Sequence, residues 1–247
     1  MDLAQLLPTW LEPFLPSRGA VLLGIPLALG WALPSAALAG WLRTRRGVQT
    51  AYTRKLFHFL IISAAGAAQL AWGLGGVTVF GSVVSLVVLG GVLAGEGFPF
   101  YEALARPGDA PHRTLFILIP LVTTALGGVL ANVFFAPFAP VAYMVTGWGD
   151  ALGEPVGTRW GRHRYRVPSL AGVKVTRSVE GSLAVLVTGA AAAALVLLGM
   201  GVPLGAALPV GLACGAGGAL VEAFSSHGID NLTVQLAAGG VAYLLLG

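Results

Sequence analysis

The chain has 247 residues, 56% of them hydrophobic and only 10% charged, with a mean hydropathy of +0.84. A water-soluble globule of this composition would lack the polar surface to cover itself. The formal net charge of +4 does not indicate a nucleic-acid partner, because the bases gather in a few loops, as membrane topology demands. A lone cysteine, Cys214, excludes an intrachain disulfide.

A helix needs roughly 20 apolar residues to cross ~30 Å of hydrocarbon, and the sequence offers about eight such runs. The predicted fold is an all-α, polytopic integral membrane bundle of about eight transmembrane helices, forming a single domain over residues 1–247. Residues 1–18 carry Leu6, Leu7, Trp10, Leu11, Phe14 and Leu15 among polar residues, the pattern of a short interfacial segment. With Asp2 and Glu12 and no basic start, this segment is not expected to be a cleaved signal peptide.

The first span is expected at about 19–42, kinked by Pro26 and Pro34 and stopped by Arg43, Arg45 and Arg46. The second and third run from about 54 to 72 and from 76 to 95. A polar loop at 96–113 follows, in which Glu102 and Arg106 stand at helical i, i+4 spacing. The fourth covers about 114–131 and the fifth 134–147, short enough that its helix can continue into the polar passage beyond. The sixth and seventh, 178–198 and 202–221, are rich in Gly and Ala, with Gly211 and Gly215 spaced for close helix packing. A polar patch at 222–231 precedes the last span at 232–246.

Loops at 43–55, 96–113 and 148–177 hold thirteen of the fourteen Lys and Arg residues, and only Arg18 falls on the opposite side. The positive-inside rule places these loops and the 222–231 patch in the cytoplasm and both termini outside. The expected location is the cell membrane, with the active site facing the cytoplasm.

The passage 146–181 is the only long polar stretch and is the expected nucleotide-binding region. Asp150 and Glu154, four residues apart, share a face if the fifth helix continues, and their oxygens suit Mg²⁺. Gly149, Gly153, Gly157 and Gly161 would bare that side for a phosphate or for another backbone. Arg164 and Lys174 are candidate phosphate partners, although the bases here also suit anionic lipid headgroups. In Arg177-Ser178-Val179-Glu180-Gly181, Ser178 reads as a helix N-cap whose first turn offers N–H groups to phosphate, and Glu180 as a ligand or a dipole partner. Lys55 and His58 lie three residues apart at the start of the second span, with His58 a candidate general base. Glu222 and Asp230, with Asn231, could supply the second half of a metal site.

These residues resemble the polyprenol kinase family, which includes dolichol kinase and phytol kinase and has CTP-dependent diacylglycerol kinase as a relative. The resemblance rests on Arg54-Lys55 with His58, Gly149-Asp150-Ala151 with Gly157 and Gly161, Arg177 to Gly181, and Glu222 with Asp230-Asn231-Leu232, and spans roughly residues 50–235. Gly153 and Arg177 depart from the alanine and lysine usual there. The resemblance implies transfer of the γ-phosphate of CTP to the hydroxyl of a membrane lipid alcohol with a divalent cation such as Mg²⁺. Asp150, Lys55, His58, Arg177 and Glu180 would then be catalytic. The glycines at 149, 153, 157, 161 and 181, with Arg164, Lys174, Arg177 and Ser178, would hold nucleotide. Asp150, Glu154, Glu222 and Asp230 would hold metal, with Asn231 beside them. Its partners would be the lipid alcohol, a nucleoside triphosphate and membrane lipids, and a homo-oligomer is compatible with the pattern. Diacylglycerol phosphorylation, CTP:lipid-phosphate cytidylyl transfer and small-molecule transport are the alternatives.

Overall fold

The computed structural model describes residue 9 and residues 11–169, 173, 175–226 and 228–247. The elements in order are α1 (Arg18–Arg46), α2 (Thr50–Ala94), α3 (Pro99–Leu104), α4 (Leu115–Phe135), α5 (Ala139–Trp160), β1 (Arg164–Val167), β2 (Val175–Ser178), α6 (Val179–Gly199), α7 (Leu204–Phe224) and α8 (Asp230–Leu246). A 3-10 turn, Glu12–Phe14, precedes α1. Ser17 caps α1 by accepting the Ala20 N–H at 3.1 Å, and the helix stays one element through Pro26 and Pro34.

The 45 residues of α2 are a hairpin broken at Gly73, whose φ of 66° and ψ of −163° only glycine adopts easily. The Phe57 and Phe100 rings lie 4.8 Å apart, and a Cβ on Gly91 would stand 2.7 Å from the same Phe100 ring. A straight helix would separate residues 57 and 91 by about 51 Å at ~1.5 Å per residue, so the chain reverses at Gly73. Pro137 does the same between α4 and α5. There the Asn132 amide meets the Tyr143 hydroxyl across the turn, and a Cβ on Gly128 would stand 3.2 Å from the Tyr143 ring.

Among the described residues, five stretches are long and apolar enough to cross a membrane, two of them the double-length stretches Thr50–Ala94 and Leu115–Trp160. At 17 residues α8 is shorter than these. Side chains such as Leu93 (87% exposed) and Leu244 (82%) point outward, the inverse of a soluble surface. The all-α bundle expected from the sequence is what forms.

Two local departures from the sequence reading bear on the site. Helix α5 runs on to Trp160, thirteen residues past the expected end of the fifth span, so Asp150 and Glu154 are helical. The segment after it forms an antiparallel β-hairpin, with Tyr165 opposite Arg177 and Val167 opposite Val175. The alternation of RYRV and VTRS carries that pairing, and Tyr165 pins it to α6 through a 2.7 Å bond between its hydroxyl and that of Ser182.

Packing between α6 and α7 is backbone to backbone. A Cβ on Gly215 would lie 2.5 Å from the Leu186 carbonyl, and one on Gly211 would lie 2.8 Å from that of Ala190. Lipid tails give apolar side chains no reason to leave them for one another, so such close approach supplies the cohesion. The polar loops close over one rim of the bundle. Thr53 donates to the Ala103 carbonyl at 2.8 Å, and Arg113 reaches Glu96 at 3.1 Å and Glu102 at 2.7 Å. Gly73, Pro137 and the turn at Gly201 occupy the opposite rim.

Candidate active site

The site begins with the way α5 packs. A Cβ on Gly147 would stand 2.4 Å from Ile62 of α2, and one on Gly153 would stand 2.5 Å from Val185 of α6. A Cβ on Gly149 would meet Val185 as well, and one on Gly157 would stand 2.9 Å from the Ser178 hydroxyl. The glycine face is therefore filled by a neighbouring helix, and this close fit draws the Ser178–Gly181 turn against α5. Gly153, Gly157 and Gly181 still edge a polar pocket. Gly149 and Gly161 are outside its lining. Gly149 is committed to Val185, and a Cβ on Gly161 would strike the Gly157 carbonyl and Ser178.

The polar pocket, about 320 Å³, is walled by α5, by the β-hairpin with the start of α6, by the ends of α7 and α8, and by the loop after α3. Lys55 enters from α2, with its Nζ 2.5 Å from Asp150 Oδ1 and 3.2 Å from Glu154 Oε2. Arg106 holds the other Glu154 oxygen at 3.2 Å and makes two 3.0 Å bonds to Asp109. Burial works against the Arg106 charge, but Glu154 and Asp109 outweigh it and hold the guanidinium above its ordinary pKa.

Across the pocket, Arg177 spends its nitrogens on Glu222 (2.8 Å), Asp230 (2.6 Å) and the Ser225 carbonyl (3.2 Å). It thereby ties β2 to the facing ends of α7 and α8. Arg164 also lines the pocket. Lys174 lies outside the described residues.

Several sequence expectations change in detail. Arg106 does not pair with Glu102, because a residue before proline avoids helical backbone. Accordingly α3 ends at Leu104, and Pro107–Asp109 starts a new turn. Glu102 pairs with Arg113 instead. Ser178 caps α6 as expected, accepting the Gly181 N–H at 3.1 Å, so that N–H is already occupied. Glu180 turns out of the pocket toward His163, 2.8 Å from its Nδ1. Asn231 is buried outside the polar pocket, where its amide donates to Thr124 Oγ1 of α4 at 2.8 Å.

The acidic groups fit a divalent cation by chemistry. Asp150, Glu154, Glu222 and Asp230 all line one pocket, they are hard oxygen donors, and Glu222 Oε2 is buried with no hydrogen-bond partner. Among the described residues no three His, Cys, Asp or Glu side chains are gathered tightly enough to hold a metal ion as they stand. Mg²⁺ typically takes one or two carboxylates and completes its shell from water and substrate phosphates.

A second, apolar cavity of about 430 Å³ lies between the two limbs of α2 and α4. Phe57, Ile61, Val77, Phe80 and Val84 wall one side, and the exposed Gly81 and Ser82 stand at its edge toward the lipid. His58 lies at its polar end. The ring hydrogen-bonds the Thr146 backbone, and its Nε2, without a hydrogen-bond partner, lies 3.6 Å from Asp150 Oδ2. Among the described residues, Asp150 alone lines both the polar pocket and the apolar cavity. This cavity is not legible in the sequence, since Leu, Val and Phe serve equally well as core.

No protein-family model matches the chain, and no solved structure does. It is 30% identical over 206 residues to the phytol kinase of Synechocystis sp., covering 79% of this chain and 81% of that one. The chain therefore belongs to the phytol and polyprenol kinase family.

Proposed function

We propose that the protein transfers the γ-phosphate of CTP to the hydroxyl of a prenyl alcohol of the phytol or polyprenol type, with Mg²⁺, at the cytoplasmic face of the cell membrane. The supporting observation is the position of Asp150, at the one place where a polar pocket meets an apolar cavity. Phosphoryl transfer asks the protein mainly for positioning and for charge opposite the phosphates. A lipid kinase must also bring a charged donor and an oily acceptor to one point. In this reading the bundle crosses the membrane eight times and keeps its basic rim in the cytoplasm.

The nucleotide phosphates lie among Lys55, Arg106 and Arg164, with the Ser178–Gly181 turn at the edge of the site and Arg177 holding the facing wall. Five carboxylates line the same pocket, so a triphosphate would be repelled unless it brought a cation. Asp150 and Glu154 would hold that ion, with Glu222 and Asp230 in reserve, and when bound it neutralises charge on the transferring group.

The alcohol lies in the apolar cavity with its hydroxyl between His58 Nε2 and Asp150 Oδ2. With the ring's other nitrogen engaged on the Thr146 backbone, Nε2 is the acceptor of neutral imidazole. It takes the hydroxyl proton as the new O–P bond forms and the bond to the CDP leaving group breaks. Asp150 then stabilises the imidazolium, and Lys55 follows the phosphate. Walls of Phe and Val exclude water, which favours transfer over hydrolysis.

The decisive experiment offers the purified protein γ-labelled CTP or ATP with phytol, a long polyprenol or diacylglycerol in turn. Label on a prenyl alcohol with CDP released is the expected result. Pyrophosphate as the product would mean cytidylyl transfer, and label on diacylglycerol alone would change the acceptor. No label on any lipid would end the kinase reading.

A further inference from the structure

The apolar cavity has a far end, and a residue from outside the helical bundle lines it there. The lining begins at His58 and Asp150 on the polar rim and follows the second limb of α2 from Val88 back to Leu74, fourteen residues away. At ~1.5 Å per residue this is about 21 Å, most of the ~30 Å hydrocarbon thickness. There Phe14 joins the lining, with Leu74 and Val77. Phe14 belongs to the turn Glu12–Phe14 before α1. The segment is seated on the α2 hairpin, since a Cβ on Gly75 would stand 3.4 Å from the Pro16 backbone.

Length and volume give the same capacity independently. An isoprene unit adds about four chain bonds, roughly 5 Å when bonds of about 1.5 Å are staggered, so about 21 Å takes about four units. An apolar cavity of about 150 Å³ holds a six-carbon ring, so at that measure about 430 Å³ holds on the order of 17 carbons. Both point to a tail of about four isoprene units.

We propose that Phe14 is the chain-length determinant of the acceptor site: it closes the tail cavity and limits the lipid alcohol to about four isoprene units. The inference rests on the lipid-alcohol reading above and adds to it the class of tail and the residue that measures it. Phe14 is half-buried and touches neither the polar pocket nor Asp150, so changing it leaves the reacting end intact. The test compares wild type, Phe14→Ala and Phe14→Trp across prenyl alcohols of two to eleven units. It measures kcat/KM with CTP and, separately, the rise in unfolding temperature that each alcohol produces without nucleotide.

Wild type is expected to peak at four units and to fall on the order of tenfold or more beyond five, the discrimination that misfit in an apolar pocket supplies. Phe14→Ala should move the limit upward by one or two units, read as a rise in the ratio of kcat/KM for six units to that for four. Phe14→Trp should move it downward. A limit unchanged in both variants, or a wild type that uses eleven units as well as four, overturns the proposal. Chain-length-dependent stabilisation without any phosphorylation would support the ruler and defeat the kinase reading, whereas turnover with a flat length profile would defeat the ruler alone.

Discussion

The two sides of the polar pocket carry the same motif, one base between two carboxylates, and differ in what that base can do. Lys55 bridges Asp150 and Glu154 with a compact ammonium on a flexible stem. Arg177 bridges Glu222 and Asp230 with a planar fork whose remaining donor is spent on the Ser225 carbonyl. An ammonium can leave one carboxylate for a phosphate with a small rotation. A guanidinium fixed at three points cannot do so without loosening the joint between β2, α7 and α8. The first cluster is therefore suited to follow a reaction and the second to hold a wall in place, although the sequence read Arg177 as a catalytic and phosphate-binding base.

Asp150→Asn tests the first cluster most severely. The change keeps the side chain's shape and leaves Lys55 its contact with Glu154, so insertion and unfolding temperature should stay close to wild type. Phosphate transfer to the alcohol should fall about 10³-fold, in the range that a reacting acid or base contributes. A variant that transfers label at the wild-type rate would remove Asp150 from the chemistry.

Arg177→Met tests the second cluster and should show the opposite balance. Removing one partner of a buried pair costs about 3–5 kcal/mol, because the remaining charges stay buried, and here two carboxylates are left. Thermal unfolding in detergent should shift sharply downward. Arg177→Lys should restore much of the stability, since it keeps the charge but gives up the fork. An Arg177→Met protein with unchanged stability and a large loss of kcat would reverse the comparison and return Arg177 to the reaction.

Smaller in effect is His58→Gln, which keeps a polar side chain at the mouth of the apolar cavity and removes the proton acceptor. A decrease in kcat of about 10²-fold, with KM for the nucleotide nearly unchanged, is expected for a general base that meets only the alcohol. A rise in KM for CTP at constant kcat would instead place His58 on the nucleotide side.

Much of this arrangement was legible in the sequence, for specific reasons. Asp150, Glu154, Lys55, Glu222 and Asp230 were identifiable because an ionisable residue beside a membrane span is rare enough to draw attention. Which base neutralises which acid was not, since Lys55 and Asp150 are 95 residues apart and only the packing of α5 against α2 joins them. The glycines at 149 and 153 were visible as a bare face, but a bare face accepts a helix as readily as a phosphate, and the methyls of Val185 fill it. The β-hairpin was hidden by its brevity: four residues per strand, rich in arginine, look like any basic loop until Tyr165 finds Ser182. Arg106 was misplaced by counting helical spacing across Arg106-Pro107, where the proline already forbids a continuous helix.

Glu180→Gln is the mildest test and the one that separates motif from geometry. The sequence places Glu180 within the most suggestive motif, but its carboxylate turns away from Asp150 and the pocket toward His163, accepting the His163 backbone N–H at 3.3 Å and approaching its ring at 2.8 Å. A glutamate in the first turn of α6 also complements the helix dipole. The amide keeps an acceptor for the His163 N–H and loses the charge, so a slightly lower unfolding temperature and a kcat within about twofold of wild type are expected. A loss of kcat comparable to that of Asp150→Asn would mean that Glu180 swings inward when substrate binds, and that the α6 N-terminus belongs with the reacting cluster and not with the wall.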